Sequence, residues 1–311
     1  MISYDQSQSL IVPASEMTEI KDELLFEIGD HHLDNCETNI QEKDFTFNPN
    51  PLSFEEYLKK FEAVQAEISA GNTYLLNLTA QTPLNTNMSL LDIYHHSKAK
   101  YKVYLKDKFV VFSPETFVQI QGKSIKTFPM KGTIDADIPN AVDILTHDKK
   151  EMAEHASIVD LLRNDLGKVS KNVVVNRFRY FDYVETSHKN LWQVSSEIEG
   201  QLPEDFYGNL GTILFNLLPA GSITGVPKAN TVNIISEVEE YDRGFYTGVL
   251  GFFDGYNLDS AVMIRFIEQF PNQLVYKSGG GIHSLSQAFN EYEELIQKIY
   301  VPIPRNHLSQ Q

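Results

Sequence analysis

One cysteine, Cys36 in LDNCETN, is all the thiol this 311-residue chain has. That excludes an internal disulfide framework and any multi-cysteine zinc site. Long apolar runs are missing too, and none approaches the ~20 residues that span a bilayer. The N-terminus lacks a basic segment followed by an apolar stretch, so no leader is expected and the cytoplasm is the expected location. Basic residues are in deficit, with 26 Lys and Arg against 42 Asp and Glu, a formal charge of −16. Such a chain is poorly suited to nucleic acid, whose phosphates need a concentrated basic face. It can still bind an anion where a metal or local cations reverse the field. What is present has the balance of a folded soluble protein, 42% apolar and 22% charged, and a single globular unit is expected.

No internal repeat, low-complexity tract or long linker interrupts the chain. The Asn- and Pro-rich FTFNPNPLS is the best boundary. It divides a short N-terminal extension (1–50), contributing strands to the same unit, from a main body (51–302) and a flexible tail (303–311). Ser53 followed by Glu56 forms a capping box for a helix ending at Gly71, with Phe54, Tyr57, Leu58, Phe61, Val64 and Ile68 at helical spacing. TYLLNLTAQ, KYKVYLKD, FVVFS, TFVQIQG and SIKTFPM alternate like antiparallel strands. A second helix runs through HDKKEMAEHASIVDLLRNDLG, with Asp148 and Glu151 as a further capping box and Gly167 as its stop. NVVVNRF, YFDYVETS and WQVSSEIEG read as strands, EDFYGNLGTILFNLL as a helix, and PAGSITGVP as a loop into the helix KANTVNIISEVEE. GFYTGVLGFFDG, DSAVMIRFIEQ and QLVYKSGGGI are strands again, and SQAFNEYEELIQKIY closes the chain with a helix. Hairpin-length links and block alternation of strands and helices give an α+β fold with antiparallel sheet.

Two glutamate pairs, Glu151 with Glu154 and Glu291 with Glu294, each share a helix face through their i,i+3 spacing. Either they are two solvated acidic faces, or they face one cavity, where four carboxylates would repel unless a hard cation sat among them. Oxygen-only ligands would choose Mg²⁺. PAGSITGVPK is not a Walker A loop and SGGGIH is no dinucleotide fingerprint. Each is a structural turn or a set of N–H groups offered to a carboxylate. Arg265, in the apolar run AVMIRF, needs an anionic partner, from the protein or from a substrate. Lys131 in FPMKGTI stands in a turn between two extended runs. It is either a solvated charge or, if burial or neighbouring positive charge frees it of its proton, a nucleophile.

Taken together, PMKGT, DKKEMAEHASIVDLLRNDLGKV, LPAGSITGVPK, YDRGFYTGVLGFFDG, AVMIRFIE and SGGGIHSLSQAFNEYEELIQK resemble, in order, the chorismate-utilising enzyme family over about residues 53 to 300. That family includes anthranilate, aminodeoxychorismate, isochorismate and salicylate synthases. The resemblance implies antiparallel sheets forming a sandwich flanked by helices, and a Mg²⁺-dependent chorismate site. It implies Glu154 and Glu294 as direct metal ligands, with Glu151 and Glu291 bonding through metal-bound water. Tyr246 and Arg265 would hold the enolpyruvyl carboxylate, and Ser222 with the backbone at Gly280 and Gly281 the ring carboxylate.

Within the family, lysine in the PMKGT position resembles aminodeoxychorismate synthases, where anthranilate synthases usually carry alanine. The implied role of Lys131 is attack on ring carbon C2 with loss of the C4 hydroxyl, after which ammonia adds at C4 and the lysine leaves. Water-using relatives place a general-base lysine where this chain has Leu75, so isochorismate or salicylate synthesis is not expected. Gln193 stands where many relatives have histidine; it can donate a hydrogen bond but cannot carry the proton. His188 is not a substitute for it. His283–Ser286 replaces the family's Ala-Asp-Ser, which leaves the role of that aspartate open, and no tryptophan-binding segment is found. Cys36 lacks the flanking glycines of an amidotransferase nucleophile. Ammonia is therefore expected from a separate glutamine amidotransferase subunit, with a separate lyase completing 4-aminobenzoate for folate synthesis. The alternatives are anthranilate formation and a non-catalytic chorismate-binding or amidotransferase-docking subunit.

Overall fold

The computed structural model describes residues 1–34, 45–184 and 190–303; Cys36, His188 and the tail from 304 onward lie outside them. In chain order the first strands and helices are β1 (Leu24–Ile28), β2 (His31–Leu33), β3 (Phe47–Pro49), α1 (Phe54–Ser69), β4 (Leu75–Thr86), α2 (Leu90–His96), β5 (Tyr101–Leu105) and β6 (Phe109–Ser113). There follow β7 (Thr116–Gln121), β8 (Ser124–Thr127), β9 (Met130–Asp135), α3 (Ala141–His147), α4 (Lys149–Gly167), β10 (Lys171–Val184), β11 (Leu191–Gln201) and α5 (Leu210–Leu217). The last group is β12 (Gly225–Val226), α6 (Lys228–Glu239), β13 (Val249–Phe253), β14 (Leu258–Val262), β15 (Phe266–Phe270), β16 (Gln273–His283) and α7 (Ala288–Gln297). The backbone falls into two compact units. Met1–Pro114, Ile223–Leu250 and Val262–Gln311 form the first; Glu115–Ser222 and Gly251–Ala261 form the second.

The first unit carries an antiparallel sheet in the order β12-β4-β16-β15-β6-β5-β1-β2, with β3 also on β4. Helix α1 shows why its sequence folds as it does. Ser53 accepts from the Glu56 N–H while Glu56 accepts from the Ser53 N–H, and Tyr57, Phe61, Val64 and Ile68 form one buried stripe. That stripe packs with Leu76 and Leu78 of β4, Tyr276 and Ile282 of β16, Ile234 and Ile235 of α6 and Leu295 of α7. Each such side chain contributes about 1.5–3 kcal/mol of burial. A buried ion pair ties β4 to the loop ahead of β12. Arg243 bonds Glu239 at 2.6 and 2.8 Å and donates to the carbonyls of Ile223 and Asn77, and Glu239 accepts from Thr79. All five N–H groups of the buried guanidinium find acceptors here, the fifth on Thr247 Oγ1.

The second unit carries the order β10-β11-β8-β7-β14-β13, with β9 also on β11. Three sequence expectations change on the structure. FPMKGTI is not a turn but the start of β9, since Ile134 and Asp135 pair with Trp192 and Leu191 and Gly132 takes up the strain at φ +94°. AVMIRFIE is not one strand. It breaks between β14 and β15, which lie in different sheets, and Arg265 sits at the break with φ +54°. Asp148 caps α4 by accepting from the Glu151 N–H at 3.0 Å, but the Glu151 side chain turns to Gly132 instead of closing a capping box.

Candidate active site

In the second unit, Lys131, Glu151, Glu154 and Gln193 come from three neighbouring elements. The β9–β11 ladder steps from Ser195 opposite Met130 to Gln193 opposite Thr133, so two steps on β11 face three on β9. The extra residue is a bulge at Lys131–Gly132, and bulges re-aim side chains. Glycine is required there. A Cβ at Gly132 would stand 3.0 Å from Glu151 Oε2, and φ +94° strains any other residue. Lys131 Nζ lies 2.8 Å from Glu154 Oε2 on α4, the next turn along from Glu151. The lysine is 29% exposed and faces a carboxylate, where burial or a neighbouring positive charge was the expectation for a nucleophile. An ammonium in an ion pair has no lone pair to offer, so attack by Lys131 requires its proton to leave first.

His155 and Ser196, which the sequence gives no reason to single out, sit beside this lysine. Both are fully buried. His155 Nδ1 is 3.2 Å from the Lys131 carbonyl and Nε2 is 2.7 Å from Ser196 Oγ. Burial pushes the His155 imidazole below its ordinary range, favouring the neutral ring. Ser222, also in the second unit, donates to Glu115 Oε1 at 2.5 Å. A substrate carboxylate approaching this hydroxyl meets a protein carboxylate already bonded to it. Glu115 lies 107 residues away in sequence, which is why spacing gives no hint of the pair.

The first unit holds the other expected residues. Tyr246 is buried, and burial holds its phenol well above the usual range, leaving a neutral hydroxyl donor. Arg265 has no carboxylate within ion-pair distance among the described residues. Its neighbours are Tyr300, whose ring centre is 5.2 Å away, with Tyr276 and Tyr246, and its buried Nε donates to no described atom. Of the two partners the sequence allowed, the protein carboxylate is thus not found among the described residues. Gly280 and Gly281 pair with Leu78 and Asn77 on β4, and a Cβ at Gly281 would touch Leu75 Cδ1 at 3.4 Å. Glu294 stands over Gly280, with Oε1 3.6 Å from a Cβ built there, and Lys298 bonds both Glu294 Oε1 (2.7 Å) and the Gly279 carbonyl (2.9 Å). Glu291, on the same helix, is buried. In the His283–Ser286 loop Ser286 Oγ accepts from the His283 N–H and His283 Nδ1 from the Leu285 N–H, and Gln65 of α1 donates to the His283 carbonyl at 2.8 Å.

The carboxylates suit a hard divalent cation by donor chemistry. Glu154 and Glu294 each already hold an ammonium, and Glu151 and Glu294 each border a glycine whose missing side chain leaves room at an oxygen. Among the described residues no group of three His, Cys, Asp or Glu side chains is assembled.

The profile of the chorismate binding enzyme family matches residues 4–304. A protein of Pasteurella multocida (strain Pm70) described as an uncharacterized PabA-like protein is 48% identical over 303 residues, 97% of this chain and 93% of that one. Aminodeoxychorismate synthase component 1 of Bacillus subtilis (strain 168) is 31% identical, over 80% of this chain but 55% of the relative. Anthranilate synthase component 1 of Acetivibrio thermocellus is 32% identical, over 84% of this chain and 52% of the relative. Among solved structures, anthranilate synthase component I from Streptococcus pneumoniae TIGR4 superposes with a TM-score of 0.70 at 26% identity, over 83% of this chain and 59% of that one. The chain spans little more than half the length of these named synthases, and on the match across nearly all of its own length it belongs to the chorismate-binding enzyme family.

Proposed function

We propose that the chain aminates chorismate at C4, giving 4-amino-4-deoxychorismate and water, with ammonia supplied by a separate glutamine amidotransferase subunit. The observation that carries this is Lys131, set in a glycine-backed bulge of β9 with its amine 2.8 Å from Glu154. Once its proton has left, the amine attacks ring carbon C2. The ring double bond shifts, and the C4 hydroxyl departs with a proton as water. Ammonia then adds at C4, the double bond shifts back, and the bond from C2 to the lysine breaks. One difficult displacement becomes two easier ones. Tyr246 and Arg265 would bind the enolpyruvyl carboxylate, the latter supplying the charge-assisted donors that no described protein carboxylate takes up. The Gly280–Gly281 backbone would bind the ring carboxylate, with Ser222 contributing once Glu115 yields it. Gln193, opposite Thr133, can donate to a substrate oxygen. Mg²⁺ would neutralise substrate carboxylate charge, and Glu151 and Glu154 in the second unit and Glu291 and Glu294 in the first carry the oxygen donors it favours. Leu75, opposite His283 in the β4–β16 ladder, offers no base to activate water.

Product analysis tests this. The purified chain, given chorismate, Mg²⁺ and high ammonium, is expected to form 4-amino-4-deoxychorismate by mass spectrometry, and a chelator is expected to stop it. Fluorescent anthranilate forming without an added lyase would assign the chain to the anthranilate branch instead. Tight chorismate binding without turnover would make it a binding subunit.

A further inference from the structure

We propose that His155 is a positioning residue for Lys131, fixing the backbone from which that amine is aimed; the proposal rests on the reading of Lys131 as nucleophile. The geometry assigns the proton that matters to Lys131. A carbonyl only accepts, so at 3.2 Å from the Lys131 oxygen the His155 Nδ1 must carry the hydrogen. Nε2 lies 2.7 Å from the Ser196 hydroxyl, which donates to it when the ring is neutral. Ser196 Oγ keeps a lone pair for the Arg179 N–H at 2.9 Å, and the Ser196 N–H donates to the Pro129 carbonyl at 3.0 Å. The carbonyls of Pro129 and Lys131 are therefore both held by one serine–histidine couple, on either side of Met130.

The bulge explains why this is needed. Where a ladder slips by one residue, the sheet no longer dictates the direction of the local carbonyls, and the backbone must find partners elsewhere. The slip falls at Lys131–Gly132, beside a glycine at φ +94° that is free to rotate. His155 supplies the missing constraint from helix α4. Its predecessor on that helix, Glu154, holds the Lys131 amine at 2.8 Å. Adjacent helix residues thus grip the lysine at both ends, one at its carbonyl and one at its Nζ. Misplacing a reacting group by about 1 Å can cost ~100-fold in rate.

Two substitutions separate this role from simple core packing. His155→Asn puts an amide N–H near the position of Nδ1, keeping a donor for the Lys131 carbonyl while giving up the bond to Ser196. His155→Gln reaches the Ser196 side and loses the donor to Lys131. Positioning predicts that the Asn variant keeps most of kcat for chorismate amination, while the Gln variant loses up to about 100-fold in kcat with KM for chorismate unchanged. Equal kcat in the two variants, or losses that follow their melting temperatures, would overturn it. The wild-type protein gives a readout free of turnover: ¹⁵N spectra of the ring must show a proton on His155 Nδ1, and a ring protonated at Nε2 alone refutes the proposal even if neither variant folds. Lys131→Ala serves as the control. If it keeps the wild-type rate, the nucleophile reading falls and this proposal with it. If it is inactive while both His155 variants turn over normally, the positioning role alone is wrong.

Discussion

Arg265 separates binding from structure at the level of a single side chain. A buried guanidinium normally answers a carboxylate, and here its neighbours are three tyrosines. Arg265→Met should therefore leave the urea midpoint of unfolding unchanged or raise it, because no described protein anion is orphaned by the change. The same substitution should raise KM for chorismate about 10- to 100-fold, the worth of charge-assisted hydrogen bonds to a carboxylate. Destabilisation by several kcal/mol would assign the arginine to structure instead. Arg265, Lys131 and the glutamate pairs are legible in the sequence because each breaks a local pattern: a cation in an apolar run, an amine before Gly-Thr, acids spaced three apart on a helix. Glu115, His155, Ser196 and Lys298 are not, since each acquires its meaning only from a partner. The Glu115–Ser222 pair spans 107 residues, and the His155–Ser196 pair 41.

Among elements, β11 carries both Gln193 and Ser196, and a polar cluster holds it to its neighbours. Lys126 of β8 bonds Glu197 at 2.8 Å, Asn176 of β10 donates to both Glu197 and Glu199, and Ser124 donates to Glu199 at 2.6 Å. The Lys126 hydrogen bond first, and that of Asn176 after it, hold the Glu197 carboxyl below its ordinary 4.5 against a smaller effect of burial; Ser124 is the main cause for Glu199. As pH falls from 4.5, unfolded carboxyls take up protons before the folded ones do. Stability present above that pH is thus lost on acidification, and the free energy of unfolding declines through this window. In Lys126→Met the decline should be shallower, measured by urea titrations at stepped pH; an unchanged slope would show that the cluster does not set it. Strands and helices with clean periodicity, such as α1, β4 and β16, are readable from sequence alone. The failures share one cause. Gly132 and Arg265 take positive φ inside runs of strand-like composition, and apolar periodicity carries no information about that dihedral. Helices α2 and α3, seven residues each, are too short for a periodic pattern to emerge.

For the molecule as a whole, antiparallel sheet with helices follows from the block order of the sequence, while the assembly of each unit from distant segments does not. The first unit needs three stretches of chain and the second two, and no local signal marks the crossovers at 114, 222, 250 and 261. The same interleaving distributes the acids, with Glu151 and Glu154 in one unit and Glu291 and Glu294 in the other. The chemistry nevertheless turns on one amine. The direct measurement is the initial rate of 4-amino-4-deoxychorismate formation by Lys131→Ala and by wild type, at saturating chorismate, Mg²⁺ and ammonium, with melting curves establishing equal folding. The account predicts a loss of about 10³-fold or more, as for removal of a covalent nucleophile. A well-folded alanine variant that aminates chorismate at the wild-type rate would contradict it.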